Sequence, residues 1–123
     1  MEPRAKKRVL ILDDEPIVCE RLRPALEKVG LYVETFVDSQ RAIDRLSEER
    51  FDILVTDLKM GKPTGLDVLH YVQEHAPTTK VIIITGFATV ETARAAMKGG
   101  AVDFIAKPFK ISQLRDLILT LVK

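Results

Sequence analysis

Short apolar runs alternate with longer amphipathic stretches five times along this chain. The apolar runs have the length of strands and lie at 8–13, 31–36, 51–56, 80–85 and 102–106. The longer stretches carry apolar residues three and four positions apart, which predicts helices at about 16–29, 38–49, 65–75, 89–98 and 111–122. Strands that alternate with helices in this way form parallel βαβ units with right-handed crossovers. The pattern therefore predicts an α/β fold built on a parallel sheet.

The predicted strands and helices differ in how much of their surface is apolar. The first and third strands are almost wholly apolar, as central strands are, whereas the second alternates and is typical of an edge. In the first helix, Val29 extends the apolar stripe, Gly30 provides a stop and Pro24 predicts a kink. The fourth helix has a weaker stripe of mostly small residues, made of Val90, Ala93, Ala96 and Met97.

Composition narrows the class of protein. The 123 residues are 46% hydrophobic and 30% charged with a net charge of +1, which predicts one globular domain, 1–123, without a global attraction to nucleic acid or membrane. No apolar run reaches the roughly 18 residues of a membrane helix, and the first residues lack the apolar segment of a signal peptide. The single cysteine, Cys19, excludes an internal disulfide and is expected to be a small packing or surface residue. We therefore expect a cytoplasmic protein.

The two ends of the chain give separate expectations. Residues 1–7 precede the first strand and include several basic residues, so we expect a flexible, solvated tail. The sequence stops at Lys123, directly after the fifth predicted helix, and this favours a truncated piece of a longer protein. No helix-turn-helix or ATPase motif fits within these 123 residues.

Polar residues of chemical use stand at the ends of four apolar runs. Asp13 and Asp14 follow the first run and Asp57 the third, while Thr85 and Lys107 end the fourth and fifth. The carboxyl ends of parallel strands lie at one edge of the sheet, where open α/β folds place their sites. Three carboxylates, a hydroxyl and an ammonium would then meet in one crevice. Because Mg²⁺ prefers oxygen ligands, this set suits Mg²⁺ and a phosphoryl group.

Asp57 is the candidate nucleophile, since carboxylates accept phosphoryl groups in other proteins and form acyl phosphates. Such a transfer depends mainly on charge neutralisation, which Mg²⁺ at one phosphoryl oxygen and Lys107 at another would supply. The Thr85 hydroxyl and nearby backbone N–H groups would take the third oxygen. This set of roles predicts a site for phosphoryl transfer.

Each residue also has a simpler interpretation when it is taken alone. Asp13 and Asp14 can cap the first helix, the Thr85 hydroxyl can bond to its own backbone, and Lys107 can form a surface salt bridge. The Lys107–Pro108 bond is a candidate for a cis peptide that would aim Lys107 into the crevice, although a trans bond is commoner before proline. The combination of residues, and no single one, favours the site.

Five separated elements, in this order, resemble the receiver domain of two-component response regulators over essentially the full chain. They are Asp13-Asp14, Asp57 in Thr-Asp-Leu-Lys-Met, Gly65-Leu66-Asp67-Val68-Leu69, Thr85-Gly86 and Lys107-Pro108-Phe109. Residues 85–93 and 95–104 are also similar to the receivers of sigma-54-dependent transcriptional activators. The resemblance implies a flavodoxin-like, doubly wound (βα)5 sheet with strand order 2-1-3-4-5.

The resemblance implies a role for each acidic residue of the crevice. Asp57 would be the phosphoacceptor. Asp14 would bind Mg²⁺ directly, and Asp13 would act largely through water. The backbone carbonyl of Lys59 would complete the protein ligands of the metal.

The same resemblance implies a switch and its partners. Thr85 and Lys107 would hold the phosphoryl group, and Thr85 would move toward it. Phe104 falls where the family has its switch aromatic, although a plain core residue of an edge strand is the alternative. The implied partners are a sensor histidine kinase, an output domain beyond Lys123 and a second copy on phosphorylation. We expect a signalling domain that promotes only its own phosphorylation and dephosphorylation, without direct binding of nucleic acid or membrane.

One departure from the family lies in the loop after Asp57. Gly61 stands where the family usually has proline, and Pro63 follows two residues later. Because glycine permits more backbone conformations, we expect a more mobile loop.

Two other classes of protein are less well matched. A small Mg²⁺-dependent phosphohydrolase with an aspartyl nucleophile is the main alternative, but Asp13-Asp14-Glu15 lacks the Asp-x-Asp spacing of haloacid-dehalogenase-like enzymes. A flavodoxin-like FMN binder needs a hydroxyl-rich loop after the first strand, where this chain has acids. His70 and His75 are expected at the surface, outside the crevice.

Overall fold

In the computed structural model, which describes residues 6–123, five strands alternate with five helices. The strands are β1 (Arg8–Leu12), β2 (Tyr32–Phe36), β3 (Ile53–Asp57), β4 (Lys80–Thr85) and β5 (Asp103–Ala106). The helices are α1 (Pro16–Glu27), α2 (Ser39–Glu48), α3 (Gly65–His75), α4 (Val90–Lys98) and α5 (Ile111–Leu121). Every predicted element exists, with small differences at the boundaries. The predicted tail falls largely on residues 1–5, which lie outside the described residues.

All five strands are parallel and lie in the order β2-β1-β3-β4-β5, as predicted. The central position of β1 and β3 follows from their residues, which are apolar on both faces. β2 lies at an edge, as its alternating pattern predicted. This order places the carboxyl ends of β1, β3, β4 and β5 side by side.

Helices cover both faces of the sheet. α1 and α5 pack on one face through Leu22, Leu26, Leu114 and Ile118, and α2, α3 and α4 pack on the other. Each strand contributes its side chains to the two layers in turn, because successive side chains of a strand point to opposite faces of the sheet. The two cores fix the strand ends and hence the positions of the polar residues that follow them.

Three predicted core positions are wrong. Val29 lies beyond the end of α1 and is 38% exposed. Val90 and Met97 of α4 are 71% and 46% exposed, and Ala96 is the residue of this helix that is buried. The physical reason is the small size of the α4 stripe, since a short helix that presents alanine to the sheet leaves its larger apolar side chains toward solvent.

The structure also decides between interpretations of the first helix. Cys19 is a packing residue that is 6% exposed. α1 continues through Pro24 to Glu27, and the Lys28 N–H donates to the Pro24 carbonyl oxygen. Gly30 has φ of +91°, so it provides the predicted stop in a conformation that favours glycine.

Candidate functional site

The side chains predicted from the strand ends meet at the carboxyl edge of the sheet. Asp57 is the last residue of β3, Thr85 is the last of β4, and Lys107 follows β5 directly. Asp13 and Asp14 follow β1 and lead into α1. Asp13 and Thr85 are fully buried and Asp57 is 5% exposed, whereas Asp14 is exposed. The crevice is therefore closed at its floor and open at Asp14.

The Lys107 ammonium is the centre of this cluster. Its Nζ lies 2.7 Å from Asp13 Oδ2, 2.9 Å from Asp57 Oδ2 and 2.9 Å from Glu15 Oε1. Sequence reasoning missed Glu15 as a site residue. Its signal was its place directly after the Asp13-Asp14 pair, at the start of a helix that projects from the same edge. Three carboxylates thus surround one ammonium, which donates hydrogen bonds to Asp57 and Glu15.

The acidic residues are placed as metal ligands would be. One oxygen each of Asp13, Asp14 and Asp57 lies within 4.8 Å of the other two. Asp13 Oδ2 is buried and makes no hydrogen bond within residues 6–123, and its contact with the Lys107 ammonium at 2.7 Å is an ion pair. A hard cation would satisfy this oxygen, and an all-oxygen set suits Mg²⁺. The Lys59 N–H donates to Asp57 Oδ1 at 3.1 Å, while the role of the Lys59 carbonyl stays a prediction.

Burial and neighbouring charges shift two pKa values in the cluster. Burial raises the pKa of Asp13, and the neighbouring Lys107 ammonium and the hydrogen bond from the Glu15 N–H offset only part of this shift. Burial also acts to lower the pKa of Lys107, but the contacts of its ammonium with the carboxylates of Asp13, Asp57 and Glu15 outweigh this effect, so the pKa of Lys107 is raised. Lys107 is therefore charged at neutral pH, and the Asp13 carboxylate carries a desolvation cost that a bound cation would reduce.

Thr85 and Phe104 point to the same face of neighbouring strands. Thr85 pairs with Ala106, and Phe104 stands two residues earlier in β5, so the period of two aligns their side chains. The Thr85 hydroxyl accepts the Phe87 N–H at 3.0 Å, and Phe104 is partly buried against the core beneath α4. In this structure both residues fill the simpler roles of a strand-end hydroxyl and a packing residue, and their switch roles stay predictions.

The loops around the crevice have two features that bear on the sequence analysis. The Lys107–Pro108 peptide bond, which the sequence analysis named as a candidate, is cis. The Lys62–Pro63 bond is also cis, and this was not predicted. A Cβ added at Gly65 would overlap the carbonyl oxygen of Asp57, so the first residue of α3 must be glycine to lie against the end of β3. A Cβ at Gly61 would meet no atom of the described residues within 4 Å, and the mobility expected of this residue stays a prediction.

Lys59 and Phe87 lie at the rim of the crevice, and the two histidines of the chain lie outside it. The Lys59 ammonium lies 4.8 Å from the centroid of the Phe87 ring, so these residues link the loops after β3 and β4. His70 and His75 are exposed on α3, and the His75 ring lies 4.6 Å from that of Tyr71. Neither histidine belongs to the group of possible metal ligands among residues 6–123.

The model of the response regulator receiver domain family matches residues 9–119 of this chain. The chain belongs to this family. The receiver domain is 34% identical to the response regulator protein PilR of Pseudomonas aeruginosa over 97% of the chain and 27% of PilR. It is 38% identical to the alginate biosynthesis transcriptional regulatory protein AlgB of the same organism over 94% of the chain and 26% of AlgB. The receiver domain thus spans about a quarter of the length of these relatives.

Solved structures agree with the fold. A CheY-like receiver domain from Methanospirillum hungatei is 27% identical, with a TM-score of 0.91 over 96% of this chain and 95% of that chain. A receiver domain from Clostridium thermocellum is 30% identical, with a TM-score of 0.87 over 94% of each chain. These comparisons confirm the predicted family, the similarity to receivers of sigma-54-dependent activators and the flavodoxin-like fold. Across residues 6–123, every helix is too short or too polar to span a membrane.

Proposed function

We propose that this receiver domain is a phosphorylation switch whose acceptor is Asp57, with a sensor histidine kinase as donor and Mg²⁺ as cofactor. The observation that carries the proposal is the placement of one nearly buried carboxylate, Asp57, between an ammonium and two further acids. Asp57 Oδ2 is 2.9 Å from Lys107 Nζ, and an Asp57 oxygen is within 4.8 Å of oxygens of Asp13 and Asp14. A nucleophile, a charge to neutralise the phosphoryl group and a set of metal ligands are therefore adjacent.

Asp57 is oriented through both of its oxygens. The Lys59 N–H holds Oδ1, and the Lys107 ammonium holds Oδ2. In the transfer, an Asp57 oxygen attacks the phosphorus of a phosphohistidine, the P–N bond breaks, and its electron pair leaves with the imidazole nitrogen. Water later attacks the acyl phosphate, which releases inorganic phosphate and restores the carboxylate.

Residues around Asp57 would bind the three oxygens of the phosphoryl group. Lys107 would donate to one oxygen and the Thr85 hydroxyl to another. Gly86, which has no side chain, leaves open space for the phosphoryl group to approach. Asp13, Asp14, Asp57 and the Lys59 carbonyl would hold Mg²⁺, which when bound supplies positive charge at a phosphoryl oxygen.

The phosphoryl group would act on the rest of the domain through Thr85 and Phe104. When Thr85 turns toward the phosphoryl group, it vacates space on the face of the sheet that it shares with Phe104. α4 covers this face and is held there by the small side chain of Ala96, so a shift of α4 would disturb few contacts. Coupling of this kind is worth about 1–3 kcal/mol. The face formed by α4, β5 and α5 would thereby change shape.

The changed face would control the output. α4 has exposed apolar side chains at Val90 and Met97, and Val102 is exposed just before β5. We propose that the whole chain acts as one receiver module, and that this face contacts an output domain beyond Lys123 or a second copy of the domain. Because relatives such as AlgB are named transcriptional regulators, control of transcription is the proposed outcome.

Labelling by a small phosphoryl donor tests the acceptor. Wild type, Asp57→Asn and Asp44→Asn are incubated with radioactive acetyl phosphate, with Mg²⁺ or with EDTA. Asp44 is an exposed carboxylate on α2, so its variant controls for the loss of one charge. We expect label on wild type and on Asp44→Asn with Mg²⁺, and none on Asp57→Asn. Undiminished labelling of Asp57→Asn would exclude Asp57, and multiple turnover of a small phosphate ester would favour the phosphohydrolase.

A further inference from the structure

We propose that Glu15 is a positioning residue that competes with the incoming phosphoryl group for the Lys107 ammonium. This inference rests on the proposed function of Asp57. Lys107 Nζ faces Asp13, Asp57 and Glu15 at 2.7, 2.9 and 2.9 Å. Nζ donates to Asp57 and Glu15 and forms an ion pair with Asp13. Three carboxylate oxygens thus already surround an ammonium that has three N–H donors, so a phosphoryl oxygen has to compete with them for its place beside Lys107. One of them has to be released when Lys107 binds the phosphoryl group.

Burial identifies the contact that is released. The side chains of Asp13 and Asp57 are 0% and 8% exposed, so either carboxylate would remain in a poorly hydrated place if it lost the ammonium. The Glu15 side chain is 60% exposed and can turn into water at little cost. Glu15 is therefore the carboxylate that exchanges with the phosphoryl oxygen.

The local structure gives the Glu15 side chain no other task among the contacts of residues 6–123. Glu15 is the N-cap residue of α1, yet its side chain makes no capping hydrogen bond. Its backbone is fixed instead, because the Glu15 N–H donates to Asp13 Oδ1 at 2.9 Å. The side chain lies against Lys107, across 92 residues of sequence. The Glu15 carboxylate thus holds the Lys107 ammonium while Asp57 is unphosphorylated.

Glu15 also lowers the affinity of the site for a phosphoryl group in a second way, through charge repulsion. Its carboxylate adds a negative charge at the mouth of a crevice that already contains Asp13, Asp14 and Asp57. A phosphoryl donor is also negative, so Glu15 repels it. Because exposed ion pairs are weak, the combined effect on affinity is expected to be about two- to fivefold.

The test measures binding of beryllofluoride, whose fluorides stand in for phosphoryl oxygens and which coordinates a carboxylate oxygen reversibly, with no phosphoryl transfer. Titrations followed by ¹⁹F NMR with saturating Mg²⁺ compare wild type, Glu15→Gln, Glu15→Asp and Glu20→Gln. Glu20 is exposed on the same helix, so its variant matches the change in charge without touching Lys107. We expect about two- to fivefold tighter binding by Glu15→Gln, and wild-type affinity for Glu20→Gln. Glu15→Asp keeps the charge but is one methylene shorter, so we expect a smaller gain.

Each contrary outcome has a distinct meaning. Equal or weaker binding by Glu15→Gln, or an equal gain in Glu20→Gln, would overturn the competition. Titration with Mg²⁺ alone gives a second readout, in which the affinity of Glu15→Gln for the metal should not exceed that of wild type. A rise in metal affinity equal to the gain for beryllofluoride would also overturn the proposed competition. If wild type binds no beryllofluoride, the proposed function fails as well. If all four proteins bind equally, the role of Asp57 stands and only that of Glu15 is lost.

Discussion

Removal of the Lys107 charge is the perturbation that should reveal the electrostatics of the site most strongly. Lys107→Met keeps a long apolar stem but removes the cation that lies within 2.9 Å of Asp13, Asp57 and Glu15. Asp13 is fully buried and Asp57 nearly so, so both charges lose their compensation. Breaking a buried pair in this way costs about 3–5 kcal/mol. Domains of this size have about 5–15 kcal/mol of total stability, so the variant should fold but unfold easily.

Urea denaturation followed by circular dichroism measures this loss. In EDTA at pH 7, we expect Lys107→Met to lose about 3–5 kcal/mol, and Lys110→Met, which removes an exposed cation nearby, to lose far less. Mg²⁺ should stabilise Lys107→Met more than wild type, because the metal then meets uncompensated carboxylates; a ligand at 100 times its Kd adds about 2.7 kcal/mol.

The pH dependence of the same variant has a defined sign. Burial already raises the pKa of Asp13 in the folded wild type, and loss of Lys107 would raise it further. A carboxyl group with a raised folded pKa destabilises the fold above that pKa, so acidification through it should return stability to Lys107→Met. The reasoning is refuted if Lys107→Met is as stable as wild type in EDTA and insensitive to Mg²⁺.

Three further predictions concern the surroundings of the site and the sheet edge. Phe87 lies against Lys59 at the rim and should restrict attacking water, so Phe87→Ala should shorten the life of the acyl phosphate; an unchanged rate of dephosphorylation would show that the ring does not shield it. Gly65→Ala would force a Cβ onto the Asp57 carbonyl, and thermal unfolding should show a loss of about 1–3 kcal/mol, whereas full stability would mean that α3 can move away. The hydrogen bond from Arg45 lowers the pKa of Glu34 in the folded protein. This pair therefore stabilises the fold fully above the unfolded pKa of 4.5, and the stabilisation is lost as the pH falls through the folded pKa. Glu34→Gln should thus be less stable than wild type near pH 7 and approach its stability in acid, and a difference in stability that does not change with pH would contradict this.

Much of the fold is predictable because periodicity and burial agree along most of the chain. The apolar runs of β1 and β3 specify central strands, and the alternation of strands with helices specifies parallel pairing. The strand order came from the family resemblance, since hydrophobic pattern alone does not set which parallel strands are neighbours. The errors at Val90 and Met97 arise because helical spacing identifies a shared face without showing whether that face meets the sheet.

The site is predictable as far as strand ends determine it. Asp13, Asp57 and Lys107 converge because parallel strands share an edge. Glu15 was missed because its role depends on a long side chain from another loop, which no local pattern shows. The contact between Lys59 and Phe87 was missed for the same reason.

The position of the covalent phosphoryl group tests the central claim most directly. The protein is incubated with acetyl phosphate and Mg²⁺, the acyl phosphate is trapped by borohydride reduction, and the modified residue is located by mass spectrometry of peptides. The account predicts a single modified side chain, Asp57, and no modification in EDTA. Modification at Asp13, at Asp14 or at a histidine, with Asp57 intact, would contradict it.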